Sequence, residues 1–101
     1  DFTYVKDAVE AAIKVAEVKE AVGETFNISC QEEISINNLI KEIEMVLQKK
    51  AVIKHVNEVK GEIKANPADI SKAKRILSFE ANTPLKKGLA KTIEWYKNES
   101  W

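Results

Sequence analysis

The chain has 101 residues, and its 16 lysines and arginines balance 16 aspartates and glutamates, so its formal net charge is zero. A neutral chain has no overall field that would attract nucleic acid or an anionic membrane, so neither is expected as a partner. Apolar residues make up 45% and charged residues 32%, which indicates one small globular domain, and no apolar run approaches the roughly 18 residues of a membrane span.

The first predicted elements are a helix over residues 5–21 and a short strand over residues 25–30. The apolar residues of the helix recur at spacings of three and four, which places on one face Val5, Ala8, Val9, Ala12, Ile13 and Ala16. Gly23 is expected to end this helix, because glycine tolerates the left-handed conformation found at many helix ends. After it the segment TFNISC alternates apolar and polar residues, the two-residue period of a strand.

A second helix and a second strand are predicted in the middle of the chain. The Ser35 hydroxyl can cap a helix whose apolar stripe consists of Ile36, Leu39, Ile40, Ile43, Val46 and Leu47. Residues 52–56 are rich in β-branched side chains, which favours a strand. Residues 57–68 contain Gly61 and Pro67 without apolar periodicity, and therefore predict a loop of a length that is often functional.

Two further helices are predicted near the end of the chain. Asp69 is expected to cap the first, and Thr83 the second, with Pro84 in its first turn. The stripe of the last helix is Leu85, Leu89, Ile93 and Tyr96, so Tyr96 is predicted to lie in the core. Gly88 on the same face costs about 1 kcal/mol relative to alanine, which close approach to a neighbour would explain.

These elements together predict an α/β fold, a small and mostly helical lobe of about four helices with two or three short strands. The chain offers little other chemistry. Its one cysteine, Cys30, cannot form an intramolecular disulfide and is interpreted as an inert buried thiol, which fits a reducing cytoplasm. No metal site is expected. His55 has no identifiable acid partner, which favours a structural role.

Two other clusters have alternative interpretations. The basic group Lys72, Lys74 and Arg75 is interpreted as a solvated helix face rather than a phosphate-binding patch. Trp95 is interpreted either as a lid over a groove or as a subunit contact, and the sequence does not decide between these roles.

Five segments of the chain, taken in order and spacing, point to a family. They are DFTYVKDAVEAAI, GETFNIS, EEISINNLIKEIEMVL, KGEIKANPADISKAKRIL and NTPLKKGLAKTIEWY. Together they resemble the carboxyl-terminal third of the NAD-dependent nucleotide-sugar epimerases and dehydratases, the extended branch of the short-chain dehydrogenase/reductase family. Members similar to UDP-glucose 4-epimerase and UDP-glucuronate epimerase are closest in pattern. The resemblance covers residues 1–98.

The resemblance implies that residues 1–101 form a substrate-binding lobe that is not catalytic alone. In the family, an amino-terminal Rossmann domain holds NAD on a glycine-rich turn and carries a Tyr-x-x-x-Lys pair. Here Tyr4 is followed four residues later by Ala8, and Tyr96 by Ser100, so neither tyrosine begins such a pair. Because the chain begins with aspartate inside a structured motif, it is expected to be a fragment that lacks the Rossmann domain.

The resemblance also implies three substrate-binding residues. Phe2 stands at the family's aromatic position beside the nucleotide, and Glu62 at the acidic position that binds the ribose hydroxyls. Val59 replaces the arginine that contacts the pyrophosphate, a charge that Lys60 can supply only in part because lysine lacks the guanidinium fork. The alternative is that Lys60 and Glu62 are solvated loop charges.

Two classes of function therefore remain open. The first is the nucleotide-sugar-binding segment of an epimerase similar to UDP-glucose 4-epimerase, or of a related dehydratase or reductase. The second is a structural or oligomerising domain with no ligand of its own. A homo-oligomer is expected in either case, because helix 5–21 and strand 25–30 would expose an apolar face and an open edge without a Rossmann domain.

Overall fold

The structure is a computed structural model that describes residues 1–62, 65 and 67–99. Its described elements are helix α1 (Val5–Glu17), a 3₁₀ turn (Lys19–Ala21) and helices α2 (Ile36–Leu47), α3 (Ser71–Leu77) and α4 (Leu85–Asn98). None of the helices in this part of the chain is both long and apolar enough to cross a membrane.

The predicted α/β class is wrong, because residues 1–62 and 67–99 contain no β-strand and form an all-helical structure. In residues 25–30 the alternation is borne out only in part: Phe26 and Ile28 are partly buried against the core, but the buried residue of the segment is Ser29, on the face predicted to be polar. No backbone–backbone hydrogen bond joins this segment to another described segment. The Cys30 amide donates instead to the Thr3 hydroxyl oxygen at 3.1 Å. A two-residue period predicts which side chains face inward, but a strand also needs a ladder partner.

The second predicted strand, residues 52–56, is also absent. The side chains of Val52, Ile53 and Val56 are exposed, and Val52 is as accessible as in an extended chain, at 103%. Preference for a strand arises largely from packing against cross-strand neighbours, and the described residues provide none here. β-branched composition alone therefore did not produce a strand.

The core lies where α1, the 3₁₀ turn and α3 meet. Its buried apolar residues are Ala11, Ala21, Ile70, Ala73, Leu77 and Phe79. Alanines on α1 and α3 allow the two helices to approach each other closely, while Ile70, Leu77 and Phe79 are the larger side chains of the core. The predicted first helix ends earlier than expected: α1 stops at Glu17, and Val18 is extended before the 3₁₀ turn begins.

Helices α2 and α4 form a second packing unit. They contact each other, yet α2 has no buried residue and α4 has only Gly88. The predicted cap of α2 is confirmed, because the Ser35 hydroxyl oxygen accepts a hydrogen bond from the Asn38 amide at 3.2 Å. The apolar stripe of α2 is therefore half-buried between two helices, except for Ile36, which is exposed.

Neither predicted cap residue occupies the cap position of its helix, which is Ile70 in α3, although Asp69 still bonds an amide of the first turn of α3. The Asp69 carboxylate accepts a hydrogen bond from the Ser71 amide at 2.8 Å, which lowers the pKa of Asp69. At α4, however, Pro84 occupies the cap position and makes no side-chain cap bond. The Leu85 amide is satisfied by the Glu32 carboxylate at 3.2 Å. The Thr83 hydroxyl points elsewhere, into a bond with α1 described below.

Candidate functional site

Residues 1–3 are anchored to residues 29–31, at the end of the predicted first strand. The Asp1 carboxylate accepts hydrogen bonds from the Ser29 hydroxyl and, at 2.9 Å, from the Gln31 amide. The Cys30 thiol also donates to Asp1, at 3.2 Å, so Cys30 is half-buried and hydrogen-bonded rather than fully buried as predicted. Together with the bond from the Cys30 amide to the Thr3 hydroxyl oxygen, these bonds hold the side chains on both sides of Phe2.

Four aromatic side chains line a cleft between residues 2–6 and α4. We call it the aromatic cleft; its volume is about 620 Å³, and four of its lining side chains are Phe2, Tyr4, Trp95 and Tyr96. Trp95 and Tyr96 meet edge to face, with ring centroids 5.0 Å apart. The prediction that Tyr96 belongs to the core is wrong, because 62% of this residue is exposed and its ring faces the cleft.

Gly88 explains how α4 comes so close to the amino-terminal segment. A Cβ atom added at Gly88 would lie 3.3 Å from Tyr4 Cδ2 and 3.4 Å from Tyr4 Cβ, tighter than ordinary contacts. Close approach to a neighbour was the predicted reason for this glycine, and the neighbour is Tyr4. The Lys91 ammonium lies 5.5 Å from the centroid of the same ring, within the range of a cation–π contact.

The charges of the aromatic cleft have one sign. Its described lining includes Lys6 and Lys91 and no acidic side chain. Aromatic faces stack on planar groups, and ammonium groups attract anions. The arrangement is therefore suited to a ligand that combines a flat ring with negative charge.

Lys60 and Glu62 lie in a different place from Phe2. They flank Gly61 in an exposed turn, closed by a 3.1 Å hydrogen bond from the Glu62 amide to the Val59 carbonyl. Gly61 has φ of 91°, a conformation that favours glycine. Phe2 lines the aromatic cleft, whereas neither Lys60 nor Glu62 is among its described lining residues. The structure thus does not gather the three predicted residues into one cleft.

The basic cluster on α3 is engaged with its neighbours. Lys72 forms an ion pair with Glu24 at 2.5 Å, which lowers the pKa of Glu24, and its ammonium lies 5.2 Å from the Phe26 ring centroid. Lys74 donates to the Gln31 side-chain oxygen at 3.3 Å. Both lysines thus connect α3 to the 24–31 segment, a tethering role that the interpretation as a solvated face did not anticipate.

The sequence interpretation missed Tyr4 and Lys91 as parts of the cleft. Gly88 was the one available signal, because an unexplained glycine on the apolar face of a helix indicates a close neighbour. Nothing in the local pattern showed that this neighbour lay more than 80 positions earlier in the chain.

Comparison with known proteins places the chain beside nucleotide-sugar enzymes. No family model matches it. It is 37% identical over 98 residues to a UDP-glucuronate 4-epimerase of Thermodesulfobacterium geofontis, which covers 96% of this chain and 30% of that protein. It is 34% identical over 102 residues to a UDP-N-acetyl-alpha-D-glucosaminuronate decarboxylase of Bacillus cytotoxicus, covering 95% of this chain and 32% of that protein.

A solved structure shows the same relationship. The chain matches UDP-glucuronic acid 4-epimerase from Bacillus cereus, in complex with UDP-4-deoxy-4-fluoro-glucuronic acid and NAD, with a TM-score of 0.87 and 34% identity. The match covers 96% of this chain and 31% of that one. The predicted resemblance is confirmed: the chain matches the carboxyl-terminal part of nucleotide-sugar epimerases and spans about 30% of the length of these relatives.

Proposed function

We propose that this chain is the substrate-binding lobe of an NAD-dependent nucleotide-sugar epimerase and that it binds the nucleotide part of a UDP-sugar. The observation that carries the proposal is the match of 96% of the chain, at a TM-score of 0.87, to an epimerase solved with a UDP-sugar derivative. In this proposal Phe2 contacts the base from the aromatic cleft. Lys60 offers charge to the pyrophosphate and Glu62 accepts hydrogen bonds from the ribose, both from the turn at Gly61, which does not line that cleft.

The exposure of these residues supports the assignment. Phe2 is 41% exposed although the side chains of its two neighbours, Asp1 and Thr3, are hydrogen-bonded, so a ring is held in place with an accessible face. Stacking of a base on an aromatic side chain contributes about 1–3 kcal/mol. Lys60 and Glu62 project from a turn set by Gly61, where both side chains are accessible.

Binding of NAD is proposed only for a longer protein that also carries a dinucleotide-binding domain. The three glycines of this chain are dispersed at positions 23, 61 and 88, and no glycine-rich turn can be built from them. The residues present do not fit a dinucleotide cradle. The epimerase activity and the Rossmann partner are accordingly proposals about that longer protein, for which a cytoplasmic location is also proposed.

Calorimetric titration of the chain with UDP tests the binding function. We expect a micromolar dissociation constant, about tenfold weaker for Phe2→Ala and for Glu62→Gln, since each change removes an interaction worth roughly 1.4 kcal/mol or more. Lys54→Gln is the matched control for Lys60→Gln, because both lysines are exposed in the same segment. If no heat is released at millimolar UDP, the alternative of a structural domain is favoured. The replacement of the family's arginine by Val59 already points to that alternative.

A decarboxylase is the second candidate activity, because the relatives include a UDP-sugar decarboxylase that is 34% identical to this chain. Binding of UDP to this chain does not distinguish the two reactions. Incubating the longer protein with UDP-glucuronate and NAD does so: an epimerase yields the C4 epimer, whereas a decarboxylase releases carbon dioxide and a UDP-pentose.

We also propose that the chain self-associates. One face of α1 exposes Val5, Val9 and Ile13, each more than half accessible and spaced four residues apart. A continuous apolar helix face is costly to leave in water and is commonly covered by another surface. Sedimentation should show association that increases with concentration and decreases in Val9→Lys. A monodisperse monomer at high concentration would contradict this proposal.

A further inference from the structure

Asp7 is a buried carboxylate that joins two distant parts of the chain. It lies in the first turn of α1 and is only 3% exposed. Its Oδ1 atom accepts hydrogen bonds from the Thr83 hydroxyl at 3.1 Å and from the Asn82 amide at 3.4 Å. Its Oδ2 atom is buried without a hydrogen-bond partner among the described residues. Burying a carboxylate with one oxygen unsatisfied is unfavourable for stability, so its presence calls for another explanation.

The two sides of this bond belong to the two walls of the aromatic cleft. Val5 and Lys6, the residues immediately before Asp7, line one wall at the start of α1. Thr83 and Leu85 line the other, where the chain enters α4. The Asp7–Thr83 bond therefore crosses from one wall to the other at the beginning of both helices.

The rest of the cleft is held mainly by apolar contact. Tyr4 packs against Gly88, so the two walls are in close contact there. Packing of this kind can shift along the helix, whereas a hydrogen bond between fixed atoms defines one separation and one register. The Glu32 carboxylate, which accepts from the Leu85 amide, holds the start of α4 to the loop before α2 and not to α1.

We propose that Asp7 is a positioning residue that sets the separation of the cleft walls through Thr83 and thereby orients Phe2 for the nucleotide. Asp7 does not contact the ligand in this account. It fixes the start of α4 relative to α1. The position of Phe2 is then fixed as well, because Tyr4, two residues after Phe2, packs against Gly88 of α4. The effect on ligand affinity depends on the proposed function, whereas the effect on cleft geometry does not.

The test uses Thr83→Val, which removes the hydroxyl and preserves the shape of the side chain. In amide NMR spectra of the labelled chain, we expect shifts at Phe2, Tyr4 and Gly88 and none at Ala73 in the core. The dissociation constant for UDP should rise about tenfold. This is the change in affinity expected when the wall that carries Phe2 loses one hydrogen bond to a carboxylate. Thr83→Ser should restore both properties, and Thr25→Val makes the same chemical change on an exposed segment outside the cleft.

The outcomes separate this inference from the proposed function. If the amide shifts of the cleft residues do not change in Thr83→Val, the role of Asp7 is overturned. It is also overturned if the shifts extend to Ala73 and the whole chain loses stability. Either pattern would mean that the bond has no specific effect on the cleft walls. Cleft shifts that Thr83→Ser reverses support the role. If the unaltered chain fails to bind UDP, the proposed function fails, and the amide shifts alone decide the inference about Asp7.

Discussion

Around α3, six apolar side chains of the described residues are at most 3% exposed, and they come from α1, the 3₁₀ turn, α3 itself and the two residues that flank α3. Around α4, Gly88 is the only buried residue of the helix, while Trp95 and Tyr96 are 47% and 62% exposed. The first region, which we call the α3 core, is closed by tight packing of small residues. The second, the α2/α4 unit, leaves aromatic surface open along the aromatic cleft.

This difference assigns separate tasks to the two regions. Burial in the α3 core supplies most of the stability, because apolar area removed from water is the dominant favourable term in folding. The α2/α4 unit gains less from burial, and polar ties such as Asp7–Thr83 and Glu32–Leu85 fix its position. A surface that is positioned but not covered is suited to binding.

The largest expected effect comes from removing volume in the α3 core. Leu77→Ala should lower the free energy of unfolding by about 3 kcal/mol, since it combines lost transfer energy with a residual cavity. Leu89→Ala, the same change at a half-buried position of α4, should cost about 1 kcal/mol because the site can fill with water. Urea denaturation measures both values. Equal losses would mean that the two regions do not differ as described.

A smaller effect is expected where α4 meets Tyr4. Alanine normally stabilises a helix interior by about 1 kcal/mol relative to glycine. At position 88 the 3.3 Å approach to Tyr4 should cancel that gain, whereas in a Tyr4→Ala background Gly88→Ala should recover it. A double-mutant cycle should therefore show a coupling of about 1 kcal/mol. Stabilisation by Gly88→Ala in both backgrounds would show that the walls do not touch as the structure indicates.

The ends of α2 and α3 allow a finer comparison. Gln48 and Ser78 have φ of 52° and 49°, the left-handed region that strains residues other than glycine. Ser78→Gly relieves this strain, but glycine also adds entropy to the unfolded chain, which offsets part of the gain. The net free energy of unfolding should rise by about 0.5 kcal/mol. Gln48→Gly should raise it less, because the end of α2 is not tied into a buried core. Thermal unfolding of both variants measures the two gains in stability. A larger gain for Gln48→Gly than for Ser78→Gly would mean that α2 is the more firmly packed helix.

The smallest expected effect is electrostatic and lies at the end of α2. Glu44 accepts a 2.7 Å hydrogen bond from the Ala51 amide and pairs with Lys50, and these contacts lower its pKa from the ordinary value of a glutamate. A carboxylate with a depressed pKa in the folded state contributes stability above its unfolded pKa and loses it as the pH falls through the folded value. Glu44→Gln should therefore be less stable than the unaltered chain at pH 7, with the difference disappearing in acid. A difference that persists unchanged below pH 3 would exclude this ionic contribution.

The helices could be predicted from sequence because their signals are local. The stripe of α2 and the Ser35 cap lie within a few residues of each other, and both predictions hold. The strand predictions were wrong because a strand depends on pairing with a distant segment, and neither TFNISC nor residues 52–56 finds such a partner among the described residues. The inward direction of Phe26 was nonetheless correct, since it follows from the apolar period alone.

The site was less predictable than the helices. Phe2 was proposed through its family resemblance, but the aromatic cleft around it arises because Asp7 and Thr83, separated by 76 positions, hold α1 and α4 together. Local periodicity carries no information about such a contact. The same limit explains why Tyr96 was placed in the core: its helical spacing was correct, but the neighbouring surface needed to bury it is absent from the described residues.

The central claim is that a nucleotide binds on the open side of this molecule while the α3 core serves as its support. Titration of isotopically labelled chain with UDP, followed residue by residue by amide NMR, tests it most directly. The account predicts progressive shifts at Phe2, Lys60 and Glu62 and none at Ala73. Shifts centred on α3, or an unchanged spectrum at millimolar UDP, would contradict it.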